Sequence, residues 1–262
     1  MHILFIGDLV GRPGRICLNS LMDSLRNRWP IDLVIANGEN AAGGFGITAA
    51  VFAELKESGV DVVTGGNHIW DNKEVYGFID RETCLIRPAN YPADTTPGNG
   101  SVIVEAGGIP VGILNLCGRI FMPPLDCPFR RADEEVATLN KKAAVILVDF
   151  HAEATAEKQA LGWYLDGRVS AVVGTHMHVQ TADERILPRG TAYISDVGFT
   201  GLYNSVLGVD PEPALQKFIT QLPGRFTISE GEMQLNAVIV QIDPATGRAQ
   251  SINRIFEVIK HI

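Results

Sequence analysis

The chain has 262 residues, 46% hydrophobic and 20% charged, with a formal net charge of −8; it is long enough for a large core and ordinary in composition for a globular protein. The excess of acid argues against a non-specific grip on nucleic acid polymer, which needs clustered Lys and Arg, but not against a small anionic substrate held by metal. No secretory leader and no apolar run near about 18 residues occurs, so neither export nor membrane insertion is expected and the cytoplasm is the expected compartment.

Residues 3–6 (ILFI) are an unbroken apolar run and predict a buried first strand, after which FIGDLVG places Asp8 between glycines. A strand, a glycine loop and a helix fit either a phosphate-cradling loop or a metal ligand at the strand's carboxyl end. Pro13 suits the opening of a helix on which Leu18, Leu21, Met22, Leu25 and Trp29 form one apolar stripe. Residues 33–36 predict a second strand, followed by the glycine loop AAGGFG and a helix opened by Thr48. Residues 60–63 predict a third strand that ends at GGNH. The stretch 87–108, rich in Pro, Gly, Asn and Thr, predicts a loop with an edge strand at 102–105. Further strands are predicted at 111–116, 144–150, 169–173 and 191–195, and near 237–242 and 252–258. Short apolar strands separated by helical patterns imply a largely parallel sheet covered on both faces. With no linker and no internal repeat, one domain over 1–262 is expected. The cysteines Cys17, Cys84, Cys117 and Cys127 are scattered and form no C-x-x-C pair, as reduced thiols filling a core would be.

The polar residues that end these strands carry the chemistry. Asp8 follows the first, Glu39 and Asn40 the second, Asn67 and His68 the third, His151 the strand AAVILVDF, and His176 and His178 the strand SAVVG. Ligands of open α/β sheets bind beyond the carboxyl ends of strands, so all five segments deliver to one edge. His2 and His261, at the termini, read as ordinary side chains. Singly, each candidate has a bland reading: Asp8 as a cap or turn residue, Asn67 as a turn residue beside Gly66, a lone His as a hydrogen-bonded structural imidazole. H-x-H is stronger, because alternate residues on extended backbone point to one side. Together, two carboxylates, two carboxamides and four imidazoles with no thiolate are a ligand list for divalent ions such as Fe, Mn or Zn.

GDLVG, GEN, GNH, a separate His151 and GTHMH, in this order, resemble the calcineurin-like metallophosphoesterases, and within them the YmdB subfamily of bacterial cyclic-nucleotide phosphodiesterases. AAGGFGIT, TGGNHIWDNKE, RPANYP, VDFHAEATAEK, VGTHMHVQTAD and SDVGFTG extend the likeness through most of the chain. The wider superfamily begins D-x-H where this chain has Val10, has G-D where this chain has Gly38-Glu39, and often sets an acid directly after the GNH histidine. Here Ile69 stands in that place and Asp71 comes two residues later, which leaves the partner of His68 open.

The resemblance implies an α/β/β/α layering with mixed, largely parallel sheets flanked by helices. It implies two metal ions, one held by Asp8, Glu39, Asn40 and His178, the other by Glu39 as bridge with Asn67, His151 and His176. Fe or Mn is the favoured metal, with Zn also compatible. It further implies a small phosphodiester substrate, 2′,3′-cyclic nucleotides foremost, attacked at phosphorus by a hydroxide shared between the ions, with His68 as general acid. No membrane and no nucleic acid polymer is expected as partner, and a homo-oligomer, dimer or tetramer, is. Two alternatives remain: a phosphomonoesterase or nucleotidase using the same ions, and a regulatory metal- or nucleotide-binding protein with little turnover. A dinucleotide loop is disfavoured by the spacing G-x-x-x-G-x-x-G at Gly7, Gly11 and Gly14 and by the acid within it. AAGGFG reads as a flexible rim of the metal pocket or as a phosphate loop. Arg12 and Arg119 read as surface or structural residues in loops, with phosphate contact as the alternative.

Overall fold

Four apolar side chains in a row can all be buried only where both faces of a strand are covered. The computed structural model, which describes residues 1–92 and 94–260, meets that demand with two sheets packed face to face and helices outside each. In chain order the elements are β1 (His2–Ile6), β2 (Asp8–Leu9), α1 (Gly11–Arg28), β3 (Leu33–Asn37), α2 (Ala49–Glu57), β4 (Val62–Thr64) and β5 (Leu85–Ile86). Then come β6 (Ser101–Ala106), β7 (Ile109–Cys117), α3 (Pro128–Leu139), β8 (Val145–His151), α4 (Thr155–Leu165), β9 (Ala171–Thr175), β10 (Arg185–Ile186) and β11 (Ala192–Ile194). β12 (Phe199–Leu202), α5 (Pro211–Thr220), β13 (Met233–Ile242) and β14 (Ala249–Ile259) complete the order.

The first sheet runs β2-β12-β13-β1-β3-β4-β5, with β14 on β13; the second runs β10-β11-β9-β8-β7-β6. β1, β3, β4 and β5 are parallel, as are β7, β8, β9 and β11, while β13 enters antiparallel beside β1. The apolar runs alone implied a largely parallel sheet covered on both faces. Two mixed sheets form instead, because a run of buried residues reports that both faces are covered and not by what. The layering implied by the resemblance is the one found.

β1 shows how the layers divide. Ile3 and Phe5 share one core with Ile113, Leu147 and Val173 of the other sheet, whereas Leu4 and Ile6 share another with Leu18, Leu25 and Leu55 of α1 and α2. The stripe on α1 is the expected one, with Leu18, Met22 and Leu25 buried and Leu21 and Trp29 packed beside them. The helix begins at Gly11 rather than at Pro13, which sits in the first turn, where its missing N–H costs nothing. Thr48 caps α2, its hydroxyl accepting from the Val51 N–H at 3.2 Å. The edge strand expected inside 87–108 is β6, joined to β7 by Gly107 and Gly108, both left-handed, as a two-residue hairpin turn requires. β2, β5, β10 and β12 have two to four residues each, too short for a periodic signal.

All four cysteines are free; Cys17 and Cys117 are buried, and burial pushes the Cys17 thiol up to about 12. Among the described residues no helix is long and apolar enough to cross a membrane. His2 is a strand residue whose N–H donates to Asp32; His261 lies outside the described residues.

Candidate metal centre

The parallel strands of both sheets end at one edge, and their polar terminal residues meet there. The first sheet supplies Asp8 in β2, Glu39 and Asn40 just past β3, and Asn67 and His68 in the 3-10 turn Asn67–Trp70 after β4. The second supplies His151, the last residue of β8, and His176 and His178 just past β9. Asp8, Glu39, Asn40 and His151 are buried.

Local rules explain how the chain makes these turns. Asn37 accepts the Glu39 N–H at 3.1 Å, an Asx turn that folds the backbone back over the strand end. Gly66 is glycine because a Cβ there would lie 2.5 Å from His151 Nε2 and collide with Glu39. His176 and His178 correct the expectation of an extended H-x-H: their φ angles of 98° and 61° are left-handed. Such backbone costs on the order of 1–3 kcal/mol and persists only where the surroundings hold it. Here buried Lys158 donates to Thr175 O at 2.8 Å and to Asp196 at 2.6 Å, and Asp196 takes the Met177 N–H at 3.0 Å.

Proton bookkeeping on the imidazoles shows what the centre lacks. Leu207 O accepts from His178 Nδ1 at 3.0 Å. Thr175 gives its own proton to Asp149 at 2.8 Å and so accepts from His151 Nδ1 at 2.9 Å. Glu153 accepts from His176 Nε2 at 3.0 Å. In its neutral form each ring is left with one lone-pair nitrogen facing inward. His151 Nε2 then stands 3.1 Å from Glu39 Oε1, 3.0 Å from Asn67 Oδ1 and 3.1 Å from His176 Nδ1. Across Glu39, His178 Nε2 lies 3.6 Å from Asp8 Oδ1 and 3.5 Å from the Asn40 amide. Asp8 Oδ1 and Asn40 Oδ1 are buried without any hydrogen-bond partner. Lone pairs converging without protons repel, and orphaned buried oxygens are costly. Cations between them remove both penalties, so the donor set fits metal.

Without a cation, protons compete for these same lone pairs. Burial alone would raise the Asp8 carboxyl, yet His178 and His151 hold it well below the usual carboxylate range. Glu39, equally buried, is lowered by His151. Burial disfavours charge on His178, but Asp8 pushes it up to about 9, while burial and neighbouring His151 push His176 down to about 3. Asp149, behind the centre, is pushed by burial up to about 7. Two deep carboxylates thus draw positive charge between them, as protons on the imidazoles or as metal ions in their place.

His68 stands apart from this cluster. Its N–H donates to Glu39 Oε2 at 2.8 Å, but its ring turns away, with Nδ1 2.8 Å from Asp71 Oδ2. Nε2 has no partner among the described residues. The acid that usually follows the GNH histidine directly is supplied here by Asp71, one helical turn on, as i and i+3 in the 3-10 segment permit. The AAGGFG loop borders the site, placing Phe45 edge-on to His68 at 5.5 Å. Arg12 is a helical residue of α1 paired with Glu230, and Arg119 reaches Cys127, so neither touches the cluster and Arg12 is not in a loop. Sequence reasoning missed Asp149, Glu153 and Thr175. Asp149 and Glu153 lie two residues either side of His151, a spacing that could have flagged them; nothing marked Thr175.

A family model described as YmdB-like protein matches residues 4–255. The 2′,3′-cyclic-nucleotide 2′-phosphodiesterase of Bacillus subtilis is 53% identical over 255 residues, covering 97% of this chain and 96% of that protein. A crystal structure described as a novel phosphatase of Mycoplasma pneumoniae superposes with a TM-score of 0.92 at 34% identity, covering 98% of this chain and 93% of that one. A putative 5′-nucleotidase from Staphylococcus aureus shares the fold alone, with a TM-score of 0.62 at 15% identity over 97% of this chain and 54% of that one.

Proposed function

Because the chain belongs to the YmdB-like family, we propose that it is a dinuclear-metal phosphodiesterase that opens small cyclic nucleotides, 2′,3′-cyclic nucleoside monophosphates foremost. The observation that carries the metal part is His151 Nε2, held about equally close to Glu39, Asn67 and His176. The substrate class comes from the Bacillus subtilis relative, whose name states that activity. Asp8, Asn40 and His178 would hold one ion and Asn67, His151 and His176 the other, with Glu39 as the shared ligand; the all O/N set suits Fe or Mn, and Zn as well. When bound, such ions supply a water of lowered pKa and neutralise charge on the phosphoryl oxygens.

The chain's own side chains manage orientation and protons. Thr175, Glu153 and the Leu207 carbonyl fix the three imidazole tautomers, which keeps the inward nitrogens available as ligands. As the water oxygen bonds to phosphorus, the P–O2′ bond breaks and O2′ needs a proton. His68 delivers it from Nε2, while Asp71 accepts Nδ1–H and holds the ring in place. The proton lost by the water restores the imidazole, and the product is a nucleoside 3′-monophosphate. The hydrogen bond from the His68 N–H to Glu39 ties the acid's position to that of the bridging carboxylate.

The test is a panel of 2′,3′-cyclic AMP, 3′,5′-cyclic AMP, 3′-AMP and 5′-AMP, run on protein of measured metal content. Fastest turnover of 2′,3′-cyclic AMP with 3′-AMP accumulating is expected. A second reading, phosphomonoesterase, is favoured by the description of the Mycoplasma pneumoniae relative as a phosphatase; faster hydrolysis of 3′-AMP or 5′-AMP than of any cyclic nucleotide would establish it instead. Full metal with no turnover of any of the four would leave the regulatory reading.

A further inference from the structure

We infer that the nucleobase of the substrate docks on a shelf formed by Tyr203 and Phe256, on the far side of His178 from the rest of the metal centre; this rests on the cyclic-nucleotide reading above. A cavity of about 440 Å³ shares His178 with the centre and is walled by Phe199, Tyr203, Leu207, Arg254 and Phe256. That volume is within the range of small-molecule sites. The pleat of β14 makes the wall: Arg254 and Phe256, two residues apart, fall on one face and pair across to Val238 and Asn236 of β13.

The occupant that fits is a flat, uncharged ring. Tyr203 and Phe256 are 40% and 54% exposed, with centroids 6.3 Å apart at 46°, so each offers most of a face rather than stacking on the other. The Tyr203 hydroxyl has no partner among the described residues and is free to reach an exocyclic group. The charged and polar groups nearby are already engaged. Arg254 pairs with Glu184 at 2.8 Å, and Asn236 Oδ1 accepts from the Phe199 N–H at 3.3 Å and from Gln234 at 3.1 Å. Without a free cation, the cavity favours stacking over a second phosphate. Its entrance is His178, laid flat on Phe199 at 5.5 Å and 22° and tied to Leu207 O. A phosphate at the centre therefore borders the shelf's cavity across His178. Base stacking on aromatic side chains needs no particular base, so the shelf explains binding of nucleotides without strong selection among them.

The experiment compares 2′,3′-cyclic AMP with glycerol 1,2-cyclic phosphate, which has the same five-membered diester and no base. Tyr203→Ala and Phe256→Ala are each expected to raise KM for 2′,3′-cyclic AMP by roughly 5- to 30-fold, the lower part of what a stacked base is worth. Both variants should leave kcat and the kinetics with glycerol 1,2-cyclic phosphate unchanged, which also certifies that they fold. Tyr203→Phe should keep KM within a few-fold of the parent. Equal effects on both substrates, or a base-dependent loss produced by Phe45→Ala on the opposite rim and not by the shelf variants, would overturn the proposal. Calorimetric titration with 3′-AMP separates this from failure of the functional reading. If the protein turns over neither cyclic diester but binds 3′-AMP more weakly in the shelf variants, the shelf stands and the hydrolase reading falls. Equal binding by parent and variants removes the shelf whatever the activity.

Discussion

At the scale of single residues, Asn67 and His68 are proposed to divide two jobs between neighbours. Side chains after a strand diverge, and here Asn67 Oδ1 goes to His151 while the His68 ring goes to Asp71. His68→Ala is expected to keep its metal and its fold and to lose roughly 10²–10⁴-fold in turnover. The loss should shrink for a p-nitrophenyl diester, whose leaving group needs little protonation; equal losses on good and poor leaving groups would remove the acid role. Asp71→Asn should show the same leaving-group dependence with a smaller loss. Asn67→Ala should instead weaken metal binding with either substrate. At Glu39 the stake is higher, since its two oxygens meet His151 and the Asn40 amide on one side and the His68 N–H on the other. Glu39→Ala is expected to empty both positions, and elemental analysis finding two full equivalents of metal in that variant would refute the bridge.

At the scale of elements, the site depends on turns more than on strands. Gly66→Ala introduces a methyl against His151 and Glu39. It should lower metal content while leaving the circular dichroism spectrum intact, because the strand before it ends two residues earlier. The left-handed turn that carries His176 and His178 rests on the buried Lys158–Asp196 pair. Removing one partner strands a buried charge, so Lys158→Met should cost about 3–5 kcal/mol in urea unfolding. It should also weaken metal binding, although Lys158 is not a ligand. A stability loss without any change in metal affinity would mean that the pair braces the sheet and not the turn.

At the scale of the whole molecule, the candidate ligands come from both sheets, three positions from β8 and β9 and the rest from the first sheet. Metal bound there would link the two layers in addition to the apolar interface between them. At free metal about 100 times its Kd, binding confined to the native state adds about 2.7 kcal/mol. Chelation is therefore expected to lower Tm, and a scan in which Glu39→Ala shows no such metal dependence is the matching control. An unchanged Tm in the parent after complete metal removal, confirmed by elemental analysis, would show that the centre does not clamp the sheets.

The sequence by itself determined the longer strands, the helix stripe on α1, the Thr48 cap and the candidate ligands. Each of these is a short-range consequence of side-chain period, backbone preference or a polar residue at the end of an apolar run. Tertiary structure alone decided three things. Apolar runs such as 3–6 cannot say whether helices or a second sheet cover them, so the two-sheet layering needed the packed fold. The partner of His68 needed the 3-10 turn that brings Asp71 under the ring. The tautomers of His151, His176 and His178 needed Thr175, Glu153 and the Leu207 carbonyl. All three lie far from their imidazoles in the chain, and hydrogen bonds across such separations leave no periodic trace in a sequence.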